Sequence, residues 1–200
     1  MEIVIATTNE GKKKELLSFF DSIEGITWLS LADFDPIVEP EETGKTFEEN
    51  AFQKAEYYAN ALQKPVFGED SGFILEEHPD MFGLNTKRQF DSSDDTDWLG
   101  QFLEFLEPAV DRTATFYSSL AFFDPANDSQ KVVLGSTKGE IEEFPQTPLE
   151  KGIPVSAVFT PEGFDDVYSA MTSEQKNRIS HRAKACMQMR EWLSEYVKEK

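Results

Sequence analysis

The stretch FGEDSGF, residues 67 to 73, places two adjacent carboxylates, a hydroxyl and a glycine within an apolar run. The longer segment PVFGEDSGFIL, residues 65 to 75, is typical of a buried strand that is interrupted at the acids Glu69 and Asp70. Neighbouring residues of a regular strand point to opposite faces, so the two acids can share one site only if the strand bends. Gly68 and Gly72 favour such a bend. The segment therefore predicts that one of the acids faces a cleft.

The segment before this strand is predicted to be a helix that borders the same cleft. TFEENAFQKAEYYANALQ, residues 46 to 63, opens with Thr46 and Glu49 in the spacing of a capping box. An apolar stripe follows at helical spacing and consists of Phe47, Ala51, Ala55, Tyr58 and Leu62. Asn50 and Lys54 flank this stripe, so we expect both at the buried edge of the helix. An ordinary amphipathic helix with a snorkelling lysine is the alternative interpretation.

The remaining elements indicate an α/β fold with a mixed, twisted sheet flanked by helices. EIVIA (residues 2 to 6) is a predicted strand, followed by a helix from residue 10 to 23. A helix from 94 to 107 precedes two strands joined by the turn DPANDSQ, and Ser180 is a candidate N-cap for a final helix that runs to about Lys198. The 200 residues suit a single domain, either as one compact unit or as two lobes that share a sheet.

Charge and composition exclude several classes of partner. The formal net charge of -19 would repel nucleic acid phosphates and anionic lipid, so neither a nucleic acid polymer nor a membrane surface is an expected partner. The first residues fit neither a secretory signal nor a membrane span, which predicts a cytoplasmic protein. Cys186 is the single cysteine, so disulfides and cysteine-based metal sites are excluded.

The loop TTNEGK, residues 7 to 12, has the composition of a phosphate-binding turn. Thr7 and Asn9 offer a hydroxyl and an amide, Gly11 permits close approach of the backbone, and Lys12 supplies a cation beside a helix N-terminus. The spacing is not that of a Walker A loop. An ordinary turn between a strand and a helix remains the alternative.

Carboxylates from two separate elements suggest a site for a hard divalent cation. Glu42, in the loop before the predicted helix, and one of the pair Glu69 and Asp70 could together bind Mg²⁺ with several retained waters. Lysines beside such a cation indicate phosphate as the third component, so the segments together favour a phosphate-bearing ligand.

Four segments together resemble one protein family. ATTNEGKKKEL, EETGKTFEENAFQKA, GEDSG and ISHRAKA occur in this order across nearly the whole chain. They resemble the motifs T-x-N-x-x-K, E-x-x-x-T-F-x-E-N-A-x-x-K-A, D-D-S-G and S-H-R of the inosine triphosphate pyrophosphatase family. Their order and spacing make the combined resemblance far more specific than any one motif.

The resemblance implies a two-lobed α/β fold around a central cleft, a homodimer, and Mg²⁺-dependent hydrolysis of non-standard purine nucleoside triphosphates such as ITP and XTP to monophosphate and pyrophosphate. It implies that Glu42 and Asp70 bind Mg²⁺, that Asp70 also orients or deprotonates the attacking water, and that Glu69 supports Asp70 or adds a ligand. Residues implied to bind the nucleotide are Thr7, Asn9, Lys12, Lys54, Ser71, Lys176, His181 and Arg182, the last two as readers of the purine. FGLNTKR weakly resembles a further family loop, with Thr86 and Arg88 in the matching places.

Two departures from the family pattern affect these expectations. Glu69 replaces the first aspartate of D-D-S-G, which keeps the charge and lengthens the side chain. Where the family has G-F-G-Y-D-P-[IV]-F, this chain has KGIPVSAVF, residues 151 to 159, so we expect Gly152 near the position of a base-stacking Phe and Val155 at that of an Asp. Altered or relaxed base specificity is therefore expected. The same phosphate chemistry on another pyrophosphate-containing substrate and a non-catalytic nucleotide-binding or interaction protein remain as alternatives.

Overall fold

The computed structural model describes residues 1–90, 92, 94–107 and 109–200. The side chain of Arg88, which the sequence places in a possible substrate loop, lies outside the described residues. None of the helices in the described part of the chain combines the length and the apolar composition that crossing a bilayer requires.

A mixed sheet is the centre of the fold, which confirms the predicted α/β class. In the described residues its six strands are β1 (Glu2–Ala6), β2 (Thr27–Ser30), β3 (Val66–Leu75), β4 (Thr113–Asp124), β5 (Ser129–Ile141) and β6 (Phe159–Pro161). They lie in the order β2-β1-β3-β4-β5-β6, with β1 parallel to both of its neighbours and the remaining pairs antiparallel. The parallel strands are linked by helical crossovers, and β4 and β5 form a long hairpin.

The helices are α1 (Glu10–Phe20), α2 (Phe47–Leu62), α3 (Asp95–Phe105), α4 (Ser173–Ile179) and α5 (His181–Lys198). Both predicted N-caps are confirmed, since the Thr46 side chain accepts from the Glu49 amide and the Ser180 side chain accepts from the Ala183 amide. The short elements β2 and α4 were not predicted, because four and seven residues are too few for a clear periodic pattern.

The predicted interruption of β3 at its two acids is wrong. The strand pairs with β4 without a break from Val66 to Leu75, including both glycines. Gly68 instead lets α2 pack directly on the strand, because a Cβ atom there would lie 2.2 Å from the Ala51 carbonyl oxygen. Glu69 and Asp70 consequently point to opposite faces of the sheet.

Among the described residues the core consists of three clusters of buried side chains, and β3 contributes to all of them. Val66 packs in the cluster beneath α2, while Phe67 packs in the cluster between the sheet and α1 and α5. Phe73 and Leu75 belong to a third, largely aromatic cluster that contains α3 and β6. Glu69 and Asp70 therefore occupy the part of the strand that lies between these apolar regions.

We expect Gly68→Ala to destabilise the protein, because the added methyl group would clash with the backbone of α2. Overpacking of this kind costs about 1 to 3 kcal/mol of the free energy of unfolding, and more where backbone must move. Gly100→Ala is the matched control, since nothing lies within 4 Å of its Cβ position on α3 and alanine favours helix. Urea denaturation measures both variants, and equal stabilities would contradict the close packing of α2 on β3.

Candidate functional site

The loop between β1 and α1 is organised by its own polar side chains. The Thr7 hydroxyl accepts from the Asn9 amide at 3.2 Å, and the Asn9 Oδ1 atom caps α1 by accepting from the Lys12 amide at 3.1 Å. The Lys12 ammonium group then reaches β3 and pairs with Glu69 at 2.8 Å. The helix N-terminus and the lysine thus give this loop the donors of an anion site.

A second group of polar residues lies on the α2 face of β3. Lys54 forms ion pairs with Glu42 and, at 3.6 Å, with Asp70, and the Asn50 amide donates to Asp70 at 3.0 Å. The prediction that Asn50 and Lys54 lie at the buried edge of α2 is confirmed. The loop acid Glu42, which is distant in sequence from Asp70, shares a lysine with it.

Burial dominates the electrostatics of this acidic pair. It raises the pKa of Asp70, although Lys54 and Asn50 partly offset the effect. Burial alone would lower the pKa of Lys54, but the charges of Asp70 and Glu42 outweigh it and raise that pKa. The Lys54 ammonium group therefore remains charged. A further cation close to Asp70 would stabilise the ionised form of its carboxyl group.

Glu69 faces the opposite side of β3 and is surrounded by donors. Its Oε2 atom accepts from Lys12, and its Oε1 atom accepts from Ser118 at 3.2 Å and from Arg182 at 3.2 Å. Burial favours the neutral acid, yet the charges of Lys12 and Arg182 outweigh it and hold the pKa of Glu69 far below its usual range. The carboxylate is turned away from Asp70, so a metal bond from Glu69 would require these ion pairs to open.

Arg182 is the centre of a charged network that includes one residue missed from the sequence. Its guanidinium group pairs with Glu69 and with Glu15 of α1, and it donates to the Ser71 hydroxyl at 3.3 Å. Lys176 also pairs with Glu15, at 2.6 Å. Burial opposes ionisation of Glu15, but Arg182 and Lys176 lower its pKa to about 2. Glu15 lies three residues after Lys12, which places both on the same face of α1, and this spacing could have indicated from the sequence that Glu15 belongs to the site.

His181 is buried and uncharged. Its ring packs against Phe116 at 5.4 Å and stacks on Tyr168 at 5.9 Å between ring centroids. Burial, together with the charge of Arg182, lowers the pKa of His181 to about 3. The Nδ1 atom has no hydrogen-bond partner among the described residues. This nitrogen is buried, so a bound molecule could accept or donate a hydrogen bond there only if the packing around the ring opened.

The segment that differs from the family motif lies against the phosphate-type loop. The Asn9 side-chain amide donates to the Gly152 carbonyl oxygen at 2.8 Å. Gly152 has a φ of +81°, and a Cβ atom there would lie 2.7 Å from the Asn9 side chain. Val155 is buried in the aromatic cluster. The predicted register of this segment is wrong by one residue, because the eight-residue family motif that ends at Phe159 begins at Gly152. Ile153 therefore takes the position of the base-stacking Phe, and Ser156 takes that of the Asp.

The residues present fit a Mg²⁺ ion, although they form no complete cage. Among residues 1–90, 92, 94–107 and 109–200, no three His, Cys, Asp or Glu side chains are grouped as metal ligands. Mg²⁺ in phosphate-processing sites uses only one or two carboxylates and takes its other ligands from water and phosphate. Glu42 and Asp70 supply two such carboxylates around one lysine, and the raised pKa of Asp70 favours an added cation.

Fold and site together define an α/β protein whose sheet carries an acidic pair, a helix-capping loop and several converging cations. These features are typical of a protein that binds an oligophosphate. The model of the Ham1 family matches residues 3–192, and the chain belongs to this family. The family inferred from the sequence motifs is thereby confirmed.

Curated relatives and solved structures agree with this assignment. A dITP/XTP pyrophosphatase of Listeria innocua is 36% identical over 202 residues, covering 99% of this chain and 97% of the relative. One from Bacillus cereus is 34% identical over 199 residues, covering 98% and 96%. The structure of a Ham1 protein from Coxiella burnetii superposes with a TM-score of 0.81 at 28% identity, covering 98% of this chain and 99% of that protein. The Staphylococcus aureus Ham1 protein superposes with a TM-score of 0.80 at 30% identity, covering 98% of this chain and 100% of that protein.

The low pKa of Glu15 makes a prediction about acid stability. A carboxyl whose pKa is lower in the folded state stabilises the protein above its unfolded value of 4.5, and this contribution is lost as the pH falls toward 2. We expect Glu15→Gln to be less stable than the unmodified protein at pH 6. The difference should shrink by about 2 kcal/mol at pH 3.

Urea denaturation at the two pH values measures the difference in the free energy of unfolding. Glu24→Gln, at an exposed position, is the control and should differ little from the parent at either pH. A penalty for Glu15→Gln that is the same at pH 6 and pH 3 would contradict the ion pairing of Glu15.

Proposed function

We propose that the protein hydrolyses nucleoside triphosphates to nucleoside monophosphate and pyrophosphate, with Mg²⁺ as cofactor and non-standard purine nucleotides among its substrates. The observation that carries the proposal is the sharing of Lys54 by Glu42 and Asp70. A carboxylate pair with a lysine between them is suited to a cation and a phosphate group, whereas a purely structural site would gain little from placing two acids together. The pyrophosphatase names of the relatives support the same reaction.

Each group has a separate part in the proposed reaction. The first turn of α1 and Lys12 bind phosphate oxygens, with Thr7 and Asn9 fixing the loop. Lys54 stabilises the negative charge that develops as the anhydride bond breaks. Glu42 and Asp70 would hold Mg²⁺, which would neutralise phosphate charge and polarise the bond to be cleaved.

Asp70 is the proposed base that orients the attacking water and accepts its proton. Lys54 and Asn50 hold its carboxylate in place, so that it can accept a hydrogen bond from the attacking water. Glu69 on the other face positions Lys12 and Arg182 through its ion pairs. Ser71 and Lys176 adjoin this network and complete the proposed nucleotide site.

We expect Glu42→Gln and Asp70→Asn each to lower kcat by about 100-fold or more, since each change removes a ligand charge and, at Asp70, the base. Release of pyrophosphate from ITP at saturating Mg²⁺ is the measurement. Glu41→Gln is the matched control, because Glu41 is exposed and adjacent in the same loop. Unchanged melting temperatures would exclude unfolding, and turnover by Asp70→Asn close to that of the parent would refute its role.

Base recognition is proposed to be relaxed. His181 is neutral, and its buried Nδ1 atom could bond a purine if the packing around the ring opened, but Ile153, at the position of the family's stacking Phe, provides no aromatic clamp for the base. Stacking on an aromatic side chain is worth about 1 to 3 kcal/mol per base in other nucleotide binders. Loss of that clamp weakens binding of every base and leaves discrimination to a few hydrogen bonds.

We therefore expect kcat/KM for ITP or XTP to exceed kcat/KM for ATP or GTP by only about 10². A selective site, in which the wrong base would leave buried polar groups without hydrogen bonds, reaches a ratio of about 10⁴ or more. A pyrophosphate-release assay across ITP, XTP, dITP, dUTP and the standard triphosphates measures this ratio, with and without Mg²⁺. A ratio above about 10⁴ would refute relaxed recognition.

The same assay separates the two alternatives. Hydrolysis of a different pyrophosphate compound, with no turnover of 6-oxo purine triphosphates, would favour the same phosphate chemistry on another substrate. Binding of nucleotides without any hydrolysis would favour a non-catalytic binder. The homodimer stays a prediction, which light scattering of the purified protein would test.

A further inference from the structure

A chain of hydrogen bonds connects α3 to the loop that caps α1. The Asp95 carboxylate, in the first turn of α3, accepts from the Gly152 amide at 2.7 Å. The Gly152 carbonyl oxygen accepts from the Asn9 side chain at 2.8 Å, and the Asn9 Oδ1 atom accepts from the Lys12 amide at 3.1 Å. Three segments far apart in sequence thus meet at one glycine.

We propose that Asp95 is a positioning residue for the phosphate-binding loop and acts on it through Gly152 and Asn9. The proposal rests on the proposed function and adds to it a residue that touches neither the nucleotide nor the metal. Asp95 holds the peptide at position 152, and this peptide fixes the orientation of the Asn9 amide.

The orientation of Asn9 matters because the two ends of its side chain have opposite hydrogen-bonding character. Oδ1 must face the Lys12 amide to cap α1, and Nδ2 must then face an acceptor. The Gly152 carbonyl oxygen is that acceptor, and it leaves the second Nδ2 hydrogen free for a phosphate oxygen. A rotated amide would lose the cap and present an oxygen to the anion instead.

The anchor on Gly152 needs a hydrogen-bond acceptor at position 95, because the segment has a conformation that other residues adopt rarely. Gly152 has a φ of +81° and lies against Asn9 so closely that a Cβ atom there would be 2.7 Å from Oδ1. The carbonyl oxygen of Lys151 lies a similar 3.0 Å from the Cβ position of Gly11. The hydrogen bond from the Gly152 amide to the side-chain oxygen of Asp95 keeps this contact closed, and an amide oxygen at the same place could also accept it.

Asp95 is not required to begin α3. Asp94 is the N-cap of that helix and accepts from the amides of Thr96 and Asp97. Asp97, in the same first turn, is exposed and accepts from Gln101 at 3.0 Å. It therefore has the same charge and the same relation to the helix dipole as Asp95, but no contact with Gly152, which makes it the matched control.

The test compares Asp95→Ala, Asp95→Ser, Asp95→Asn and Asp97→Ala in two measurements. The first is the steady-state hydrolysis of ITP with Mg²⁺, and the second is calorimetric binding of inorganic tripolyphosphate. We expect Asp95→Ala and Asp95→Ser to raise KM and the tripolyphosphate Kd about tenfold, the effect of losing one hydrogen bond to a charged group, with kcat within about twofold of the parent. Asp95→Asn keeps an acceptor and should restore most of the affinity, and Asp97→Ala should match the parent.

The outcomes separate this inference from the proposed function. If the parent binds tripolyphosphate but hydrolyses no nucleotide, the proposed function fails and the binding data alone decide on Asp95. If Asp95→Ala does not fold, Asp95→Ser must show the loss of affinity. Equal KM and Kd values for the Asp95 and Asp97 variants, or a loss that Asp95→Asn does not rescue, would overturn the role of Asp95.

Discussion

The ion pairs of Glu69 with Lys12 and Arg182 are the interaction on which the rest of the site depends. A carboxylate this deeply buried is ionised only if cations lie against it, since the cost of removing its charge from water is several kcal/mol. Lys12 comes from α1, Arg182 comes from α5, and Glu69 lies on β3. The N-terminal ends of two helices are therefore held at one point of the sheet. Removing either cation would leave a buried charge without compensation.

This constraint changes the meaning of Arg182. From the sequence it is a donor in the first turn of a helix, available to a purine, whereas in the structure its guanidinium group binds Glu15, Glu69 and Ser71. Truncation of Arg182 would thus disturb the charge balance of the core as well as any contact with a base. The neutral His181 next to it has a nitrogen without a hydrogen-bond partner among the described residues, but this atom is buried beside the same network. The cations of the site are already paired with carboxylates, so an arriving phosphate would compete with Glu69 and Glu15 for them.

The parts of this arrangement that follow from local sequence were predictable, and those that depend on distant pairs were not. The caps at Thr46 and Ser180 and the buried edge of α2 follow from spacing along one helix. The partners of Glu69 lie 57 and 113 residues away, and nothing in the spacing of a single element reveals them. The continuity of β3 was missed for a related reason. Gly68 was interpreted as a bend, whereas its role is set by a helix that crosses it, which only the packed structure reveals.

The segment at Gly152 shows how one backbone contact and one missing side chain can together limit what a site recognises. The Gly152 peptide joins the capping loop of α1 to α3, and its conformation and its closeness to Asn9 exclude a side chain there. Ile153, the next residue, takes the position of the family's stacking Phe and has no aromatic face. In the proposed function, this segment therefore orders the phosphate-binding loop but offers the base no aromatic surface for stacking. Affinity then has to come mainly from the phosphates, which all nucleoside triphosphates share, and this is the physical basis for expecting broad base tolerance in a site with a well-ordered anion loop.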